Sequence, residues 1–508
     1  MNKMDKGGIF MSNKMPMVYS ALMLTAVNLM LRFISTSFQV YLSATIGAEG
    51  VGLLQLVISV SGLAMTAGIA GIRTTTMYLT AEDLGQKRRG NVPWVLTGCF
   101  VYCLVTGGTI CLGLYFAAPY IAQHWIGNMA ALPALRTFAA FLPISCLCGV
   151  MTGYFTAANR IGTLAAVEVG EQFFCMGITV LALLMVPVGD TAASCRAVVL
   201  GNCCGYLLTL TFLLFLYRKD RRERGVPLPA TRRILSAAVP LALADDLKTG
   251  ISALENLMVP KRLALFPGID NPLASFGIVS GMVFPVMMFP AAILYSLAEL
   301  LIPELARCAA VGSKQRISYL ANRNLRVTLL YGLVCGGGMF LLADALCDWL
   351  YPGVGAAEYL RWFSLVVPML YCDLVVDAMT KGLGQQKVCV RYNIISNSLD
   401  VALLFLLLPR FGIPGYFASF LITHVLNFAL SLRRLIKISH PGMGLHFPCF
   451  ALSAWLIAIF GASRFSGPLR QIAAFLGLFF CISYFFGVWN PRDVQWIKNL
   501  LKPEKSLP

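Results

Sequence analysis

Apolar runs of about 20 residues, separated by short polar segments, recur along almost the whole 508-residue chain. A helix needs about 20 apolar residues to cross roughly 30 Å of hydrocarbon. The pattern therefore predicts an all-α polytopic membrane protein with about fourteen transmembrane helices. The predicted spans are 17–42, 52–78, 93–118, 133–157, 163–187, 191–217, 234–260, 272–298, 325–350, 360–382, 393–409, 412–432, 446–462 and 468–488.

An internal repeat divides this array. The segment from Leu135 to Pro143 matches the segment from Leu360 to Pro368 at Leu, Arg, Phe and Pro, an offset of 225 residues. A duplicated membrane protein is typical of transporters whose substrate site lies between the two repeats. We predict two pseudo-symmetric six-helix lobes, a basic loop between them, and a terminal helix pair with a tail. The corresponding ranges are 1–217, 218–233, 234–437 and 438–508.

The net charge of +17 could suggest nucleic acid as a partner, but the positions of the basic residues favour a membrane explanation. With the N-terminus on the cytoplasmic side, 29 of the 40 Lys and Arg residues lie on that side and 8 on the other. The positive-inside rule accounts for this bias. We expect a multi-pass protein of the cytoplasmic membrane with both termini inside. The loop 218–233 would fix topology or, alternatively, contact anionic lipid.

Catalytic and metal-binding patterns are missing from the sequence. The sixteen cysteines show no zinc-type spacing with the four histidines, and most lie in apolar spans as small buried side chains. There is no Walker loop, no dinucleotide fingerprint and no nucleophile elbow. We therefore expect a transporter that is not an enzyme and that has no metal, cofactor or disulfide framework.

The candidate chemistry consists of ionisable residues at membrane depth, which are costly to place there and mark substrate or ion pathways. Alignment of Ser20-Ala21 with Ser236-Ala237, at an offset of 216 residues, pairs Arg32 with Lys248, so each lobe would direct a cation into the central gap. The 9 further residues needed to reach 225 fit the longer loop from Leu265 to Asn271, beyond which Gly52 is paired with Gly277. Such a pair suits phosphate or pyrophosphate. Alternatively, Arg32 pairs with Glu171, and Lys248 is neutralised within its own helix. The other charged candidates for the central cavity are Arg73, Asp245, Asp246 and Glu255.

Further acids within the predicted spans are candidates for coupling to H⁺ or Na⁺. They are Glu171, Asp373, Asp377 and Asp400. Asp373 and Asp377 are four residues apart on one helical face and could equally bond to neighbouring hydroxyl groups.

Four segments have recognisable motifs. They begin at Tyr41, Gly153, Val259 and Lys381 and read YLSATIGAEGVGLLQL, GYF with Arg160 and Glu171-Gln172 beyond it, VPKRL and KGLG. Together they resemble the polysaccharide-export branch of the multidrug/oligosaccharidyl-lipid/polysaccharide exporter superfamily, and within it a sporulation subfamily and its lipid II flippase relatives. The resemblance covers nearly the whole chain.

This resemblance implies a V-shaped pair of six-helix lobes around a cationic cavity for an undecaprenyl-linked precursor. It also implies that the last two helices help to form a groove for the lipid tail. The matching cation in the first helix is Arg32. Where the family often has a second arginine, this chain has Gln39.

Three functions remain open on the sequence. The first is a flippase for a lipid-linked saccharide, either lipid II, in the setting of the spore cortex, or a capsular or exopolysaccharide unit. The membrane potential alone could drive export, at about 2.3 kcal/mol per charge per 100 mV. The second is a cation-coupled multidrug exporter, and the third is a scaffold that recruits cell-wall synthases. The expected partners are therefore the saccharide carrier, membrane lipids and such synthases.

Overall fold

The computed structural model of the protein describes residues 17–86, 88–187, 189–219, 231–440, 444 and 446–487. Those residues form helices and connecting turns and no strand, so the all-α prediction is confirmed. The α-helices are α1 Met17–Ile69, α2 Ile72–Gly85, α3 Val92–Tyr120, α4 Leu132–Ala157, α5 Ile161–Leu184, α6 Thr191–Lys219, α7 Thr231–Leu263, α8 Pro272–Phe276, α9 Phe284–Met288, α10 Ala291–Ala310, α11 Lys314–Leu341, α12 Ala343–Leu350, α13 Ala357–Ser364, α14 Val367–Gly382, α15 Gln386–Ser439, α16 His446–Ala462 and α17 Pro468–Phe485.

Two π-helical segments supplement these helices. Ile121–Ile126 continues α3, and Gly277–Val283 joins α8 to α9. Single-turn π segments inside α-helices are frequent at functional sites.

Eight helices in the described part of the chain are long and apolar enough to cross a membrane, or ten if each of two bent pairs is one span. The protein is therefore a multi-pass membrane protein. The number fourteen stays a prediction. Helix α7 is not among these eight or ten helices, because four charged residues make its middle section polar. They are Asp245, Asp246, Lys248 and Glu255.

The two longest helices each contain an internal break. Helix α1 has 53 residues and α15 has 54, and a straight helix of that length would measure about 80 Å. Non-helical backbone at Gly47 and Gly412, with φ of 72° and 60°, divides each into two segments. Glycine adopts positive φ without the steric penalty of a side chain. The break at Gly412 coincides with the predicted boundary between two spans.

Two predicted spans are bent. The helices around Phe289 and Pro290 meet at 62°, and α13 meets α14 at 53°. The prediction of one continuous helix at 272–298 is therefore wrong in detail, because the π segment and Pro290 interrupt the α-helix there.

The basic loop predicted at 218–233 is shorter than its predicted limits. Helix α6 extends to Lys219 and α7 begins at Thr231, so both ends of the loop are helical. Residues 220–230 lie outside the described part of the chain.

The terminal helices α16 and α17 have an apolar core of their own against α11. Phe475, Phe479 and Trp455 are nearly inaccessible there. Gly337 of α11 permits this contact, since a Cβ atom on it would lie only 2.6 Å from Cε2 of Phe475 and 2.8 Å from Nε1 of Trp455.

Two positions that the sequence repeat pairs are in contact in the structure. Alignment at the offset of 225 pairs Gly52 of α1 with Gly277 at the start of the π segment, and the structure brings these two glycines together. A Cβ atom on Gly277 would lie 2.6 Å from the backbone nitrogen of Gly52 and would collide with the carbonyl oxygen of Ala48. The two equivalent positions thus meet at the contact between the halves of the molecule.

Candidate functional site

Arg32 is half-buried on α1 and forms no ion pair with any residue that the structure describes. Glu171, the acid that could have neutralised it, instead accepts a 2.5 Å hydrogen bond from Thr209 of α6. The next residue, Phe33, packs against Phe289 with ring centroids 6.2 Å apart. Arg32 therefore lies beside the contact between the two halves with its charge uncompensated within the described chain.

Gln39, two turns further along α1, has a structural partner. Its amide nitrogen donates to the carbonyl oxygen of Gly281, 3.0 Å away. That carbonyl belongs to the π segment Gly277–Val283. Gln39 thus joins α1 to this segment, and its place in a cationic cavity stays a prediction.

Lys248 and Asp245 are both exposed on α7. Neither forms an ion pair within the described residues, so the alternative that Lys248 is neutralised in its own helix is not observed. Asp246 is half-buried, and its Oδ1 is inaccessible with no hydrogen-bond partner in the described chain. The hydroxyl of Tyr102 on α3 lies within electrostatic range of Asp246.

Polar side chains of α7 contact polar side chains of α1. Asn256 donates to Ser59 of α1 over 3.0 Å, and the hydroxyls of Thr66 and Thr249 are 3.4 Å apart. These pairs advance in opposite directions along the two helices, as expected for antiparallel neighbours. We call the contact formed by Ser59, Thr66, Thr249 and Asn256 the polar seam.

Arg73 is exposed on α2 and faces α4 and α5. Gly153 of α4 approaches the carbonyl of Arg73 so closely that a Cβ atom there would lie 2.5 Å from it. Glu168 of α5 is within electrostatic range of the guanidinium. Within the described chain, Arg73 is therefore placed among helices of the first half, and its described neighbours do not connect it to Lys248.

Two carboxyl groups predicted for different roles lie together. Glu255 of α7 lies beside Asp400 of α15, and Asp400 is only 4% exposed. Asp400 also accepts hydrogen bonds from Ser419 at 2.5 Å and Thr423 at 3.2 Å. Two carboxylates so close together in a buried site repel each other, so the site favours a proton or a cation shared between them.

The remaining acids have neighbours within the second half. Asp373 of α14 accepts from the amide of Asn427, at 3.0 and 3.3 Å. Asp377 pairs with Lys381 one turn later, at 2.5 Å. Asp373 thus bonds to an amide and Asp377 to an ammonium group, whereas the sequence had suggested neighbouring hydroxyl groups as partners.

Sequence reasoning named Asp246 but missed the neutral polar residues Thr249 and Asn256. The three residues recur at intervals of three and seven along α7, which places them on one helical face. That spacing was the available signal, and Thr249 and Asn256 of this face contact α1.

Comparison with known proteins places these features in a family. The family described as polysaccharide biosynthesis protein matches residues 17–309, more than half of the chain. Stage V sporulation protein B of Bacillus subtilis (strain 168) is 24% identical over 480 residues, which cover 91% of each chain. Sporulation protein YkvU of the same organism is 22% identical over 281 residues, or 52% of this chain and 61% of the relative.

Solved structures share the fold. Lipid II flippase MurJ in an inward closed conformation covers 93% of this chain and 100% of its own, with a TM-score of 0.70 and 13% identity. An inward-facing multidrug resistance MATE family transporter of the MOP superfamily covers 82% of this chain and 100% of its own. Its TM-score is 0.64 at 12% identity.

Proposed function

Because this chain belongs to the polysaccharide biosynthesis protein family, we propose that it is a membrane flippase for a saccharide linked to a polyprenyl pyrophosphate. Peptidoglycan precursor lipid II is the proposed cargo. The similarity to stage V sporulation protein B suggests the spore cortex as the setting. Recruitment of cell-wall synthases would be a secondary role.

The observation that carries this proposal is the state of Arg32. It is half-buried, lies beside the contact between the halves, and has no ion-pair partner among the described residues. A buried cation without a partner is costly. The phosphate oxygens of a pyrophosphate would supply strong charge-assisted hydrogen bonds to its guanidinium. Lys248 would supply a second cation from the other half.

No covalent chemistry is required for this activity. The protein would shield the headgroup while the tail remains in lipid, and the two halves would open to each side in turn. With both termini cytoplasmic, the negative headgroup would move outward down the membrane potential, at about 2.3 kcal/mol per charge per 100 mV.

Coupling to an ion is proposed at Glu255 and Asp400. Their shared proton would be exchanged for Na⁺ or released as the second half rearranges. The same cluster favours a second candidate function, a cation-coupled multidrug exporter, since the fold is shared with multidrug transporters.

Translocation of fluorescent lipid II in proteoliposomes tests the proposal. We expect Arg32→Ala to abolish most transport and Arg32→Lys to retain part of it, since a lysine keeps the charge but not the bidentate geometry. Arg470→Ala, at an exposed position on α17, is the matched control. Unchanged translocation by Arg32→Ala would remove Arg32 as the anion site. Drug resistance conferred without lipid II transport would support the exporter instead.

A further inference from the structure

A cavity of about 370 Å³ lies at one end of the contact between the halves. It is formed by α1, by α7 and by the π segment that follows α3. The lining residues are Leu63, Trp125, Gly250, Ala253, Leu254, Leu257, Met258 and Lys261. Its volume is in the range of small-molecule sites, and its lining is apolar apart from one end. The proposed transport cycle gives this cavity no role.

The length of the cavity matches one leaflet of a bilayer. Its lining on α7 runs from Gly250 to Lys261, which is about 16 Å along a helix. Half of the hydrocarbon core of a bilayer is roughly 15 Å. Gly250 and Ala253 leave room for a chain, and Leu254, which is 53% exposed, opens the trough to the surrounding lipid.

The polar end of the cavity has a cation and an aromatic ring. The ammonium of Lys261 donates to the backbone carbonyl of His124, which leaves two of its three protons for another acceptor. Trp125 is 42% exposed beside Lys261, and tryptophan favours the boundary between hydrocarbon and headgroups.

We propose that this cavity binds an anionic membrane phospholipid, with one acyl chain in the trough and the phosphate at Lys261. The described lining residues include a cation for the phosphate but no carboxylate for the cationic group of a zwitterionic lipid, so net negative charge is favoured. A polyprenyl tail is much longer than one leaflet and does not match a trough of about 16 Å.

The bound lipid would link the two halves. Leu63 and Trp125 belong to the first half, whereas the other lining residues belong to α7. The hydrogen bond between Ser59 and Asn256 lies at the same level of the seam. An anionic lipid in this position would therefore stabilise the closed seam, so lipid composition would regulate the transition between open and closed states.

Native mass spectrometry of the full-length protein in detergent tests the proposal with phosphatidylglycerol and phosphatidylcholine as probes. We expect wild type to retain phosphatidylglycerol preferentially. Lys261→Gln should reduce that preference about fivefold, since one basic residue contributes about 1 kcal/mol toward an anionic lipid. Lys261→Arg should restore it, and Arg470→Gln, an exposed basic residue on α17, should leave it unchanged.

A second measurement reports on the trough itself. Phosphatidylglycerol with brominated chains should quench the fluorescence of wild type more than that of Trp125→Phe, and Ala253→Phe should reduce the quenching by filling the cavity. Equal retention of both lipids by wild type would overturn the proposal. So would equal losses in Lys261→Gln and Arg470→Gln, or co-purification of a polyprenyl lipid that Lys261→Gln removes.

Discussion

The guanidinium of Arg233, in the first turn of α7, lies 2.9 Å from the carboxylate of Glu82 in the last turn of α2. The same group lies 3.5 Å from Asp83, whose side chain is fully buried. Arg233 and Glu82 are each about one-third exposed. The contact joins the two halves at the end of the seam remote from Lys261.

The burial of Asp83 makes the effects of the two partners unequal. Arg233→Ala strands a buried carboxylate and should lower the free energy of unfolding by about 1–2 kcal/mol. Glu82→Ala removes only a partly exposed pair and should cost less than about 1 kcal/mol. Hydrogen exchange at residues 79–85 measures the local opening. Arg316→Ala, which breaks the 2.7 Å pair with Glu304 within the second half, should not alter exchange there. Equal effects of Arg233→Ala and Glu82→Ala would show that Asp83 finds another partner.

The close approach of Gly52 and Gly277 predicts intolerance of a methyl group. Gly52→Ala places a Cβ atom on the carbonyl oxygen of Leu273, so the halves cannot close there. We expect a loss of stability of about 1–3 kcal/mol, as for overpacked sites, together with loss of transport. Gly62→Ala is the control, because a Cβ atom there meets nothing within 4 Å. A thermal melt and a translocation assay decide the matter, and wild-type values for Gly52→Ala would contradict the observed closure.

Adjacent glycines on α11 give a similar test for the terminal helix pair. Gly337→Ala would push on Phe475 and Trp455, whereas Gly338→Ala makes an ordinary 3.5 Å contact with Ile472. We expect only Gly337→Ala to loosen α16 and α17, at a cost of about 1–3 kcal/mol. Limited proteolysis of the connection between α15 and α16 measures the loosening. Equal cleavage of both variants would refute this packing as the reason for glycine at 337.

The pair Glu255 and Asp400 predicts a pH-dependent phenotype. Glu255→Gln keeps a hydrogen-bonding group beside Asp400 but removes one exchangeable proton. We expect transport by this variant to lose its response to an imposed pH gradient while the protein keeps its thermal stability. Glu299→Gln, at an exposed acid on α10, should retain the response. An unaltered response in Glu255→Gln would exclude this cluster from coupling.

Much of the fold follows from apolar run length, since every predicted span has a helical counterpart in the described chain. The repeat pairs Gly52 with Gly277 as equivalent positions, but it did not predict that they would lie in contact. Run length does not reveal breaks inside a helix, so the internal π segment and the 62° bend were missed. Those features depend on packing between the halves.

The candidate site was less predictable than the fold. Charge at membrane depth drew attention to Glu255 and Asp400 separately. Their proximity was not predictable, because they are 145 residues apart in sequence and lie on two different helices, α7 and α15. Partners such as Ser419 and Asn256 carry no charge and are common in membrane helices, so composition alone does not mark them. The placement of Arg32 and Lys248 in one cavity stays a prediction.

The polar seam has a consequence for hydration. If the helices parted in dry hydrocarbon, the amide of Asn256 and the hydroxyls of Ser59, Thr66 and Thr249 would be left without partners. Water or another polar molecule must therefore enter as the helices separate. The rate of opening would then depend on hydration of the gap, and a polar ligand that reached these groups would promote the opening.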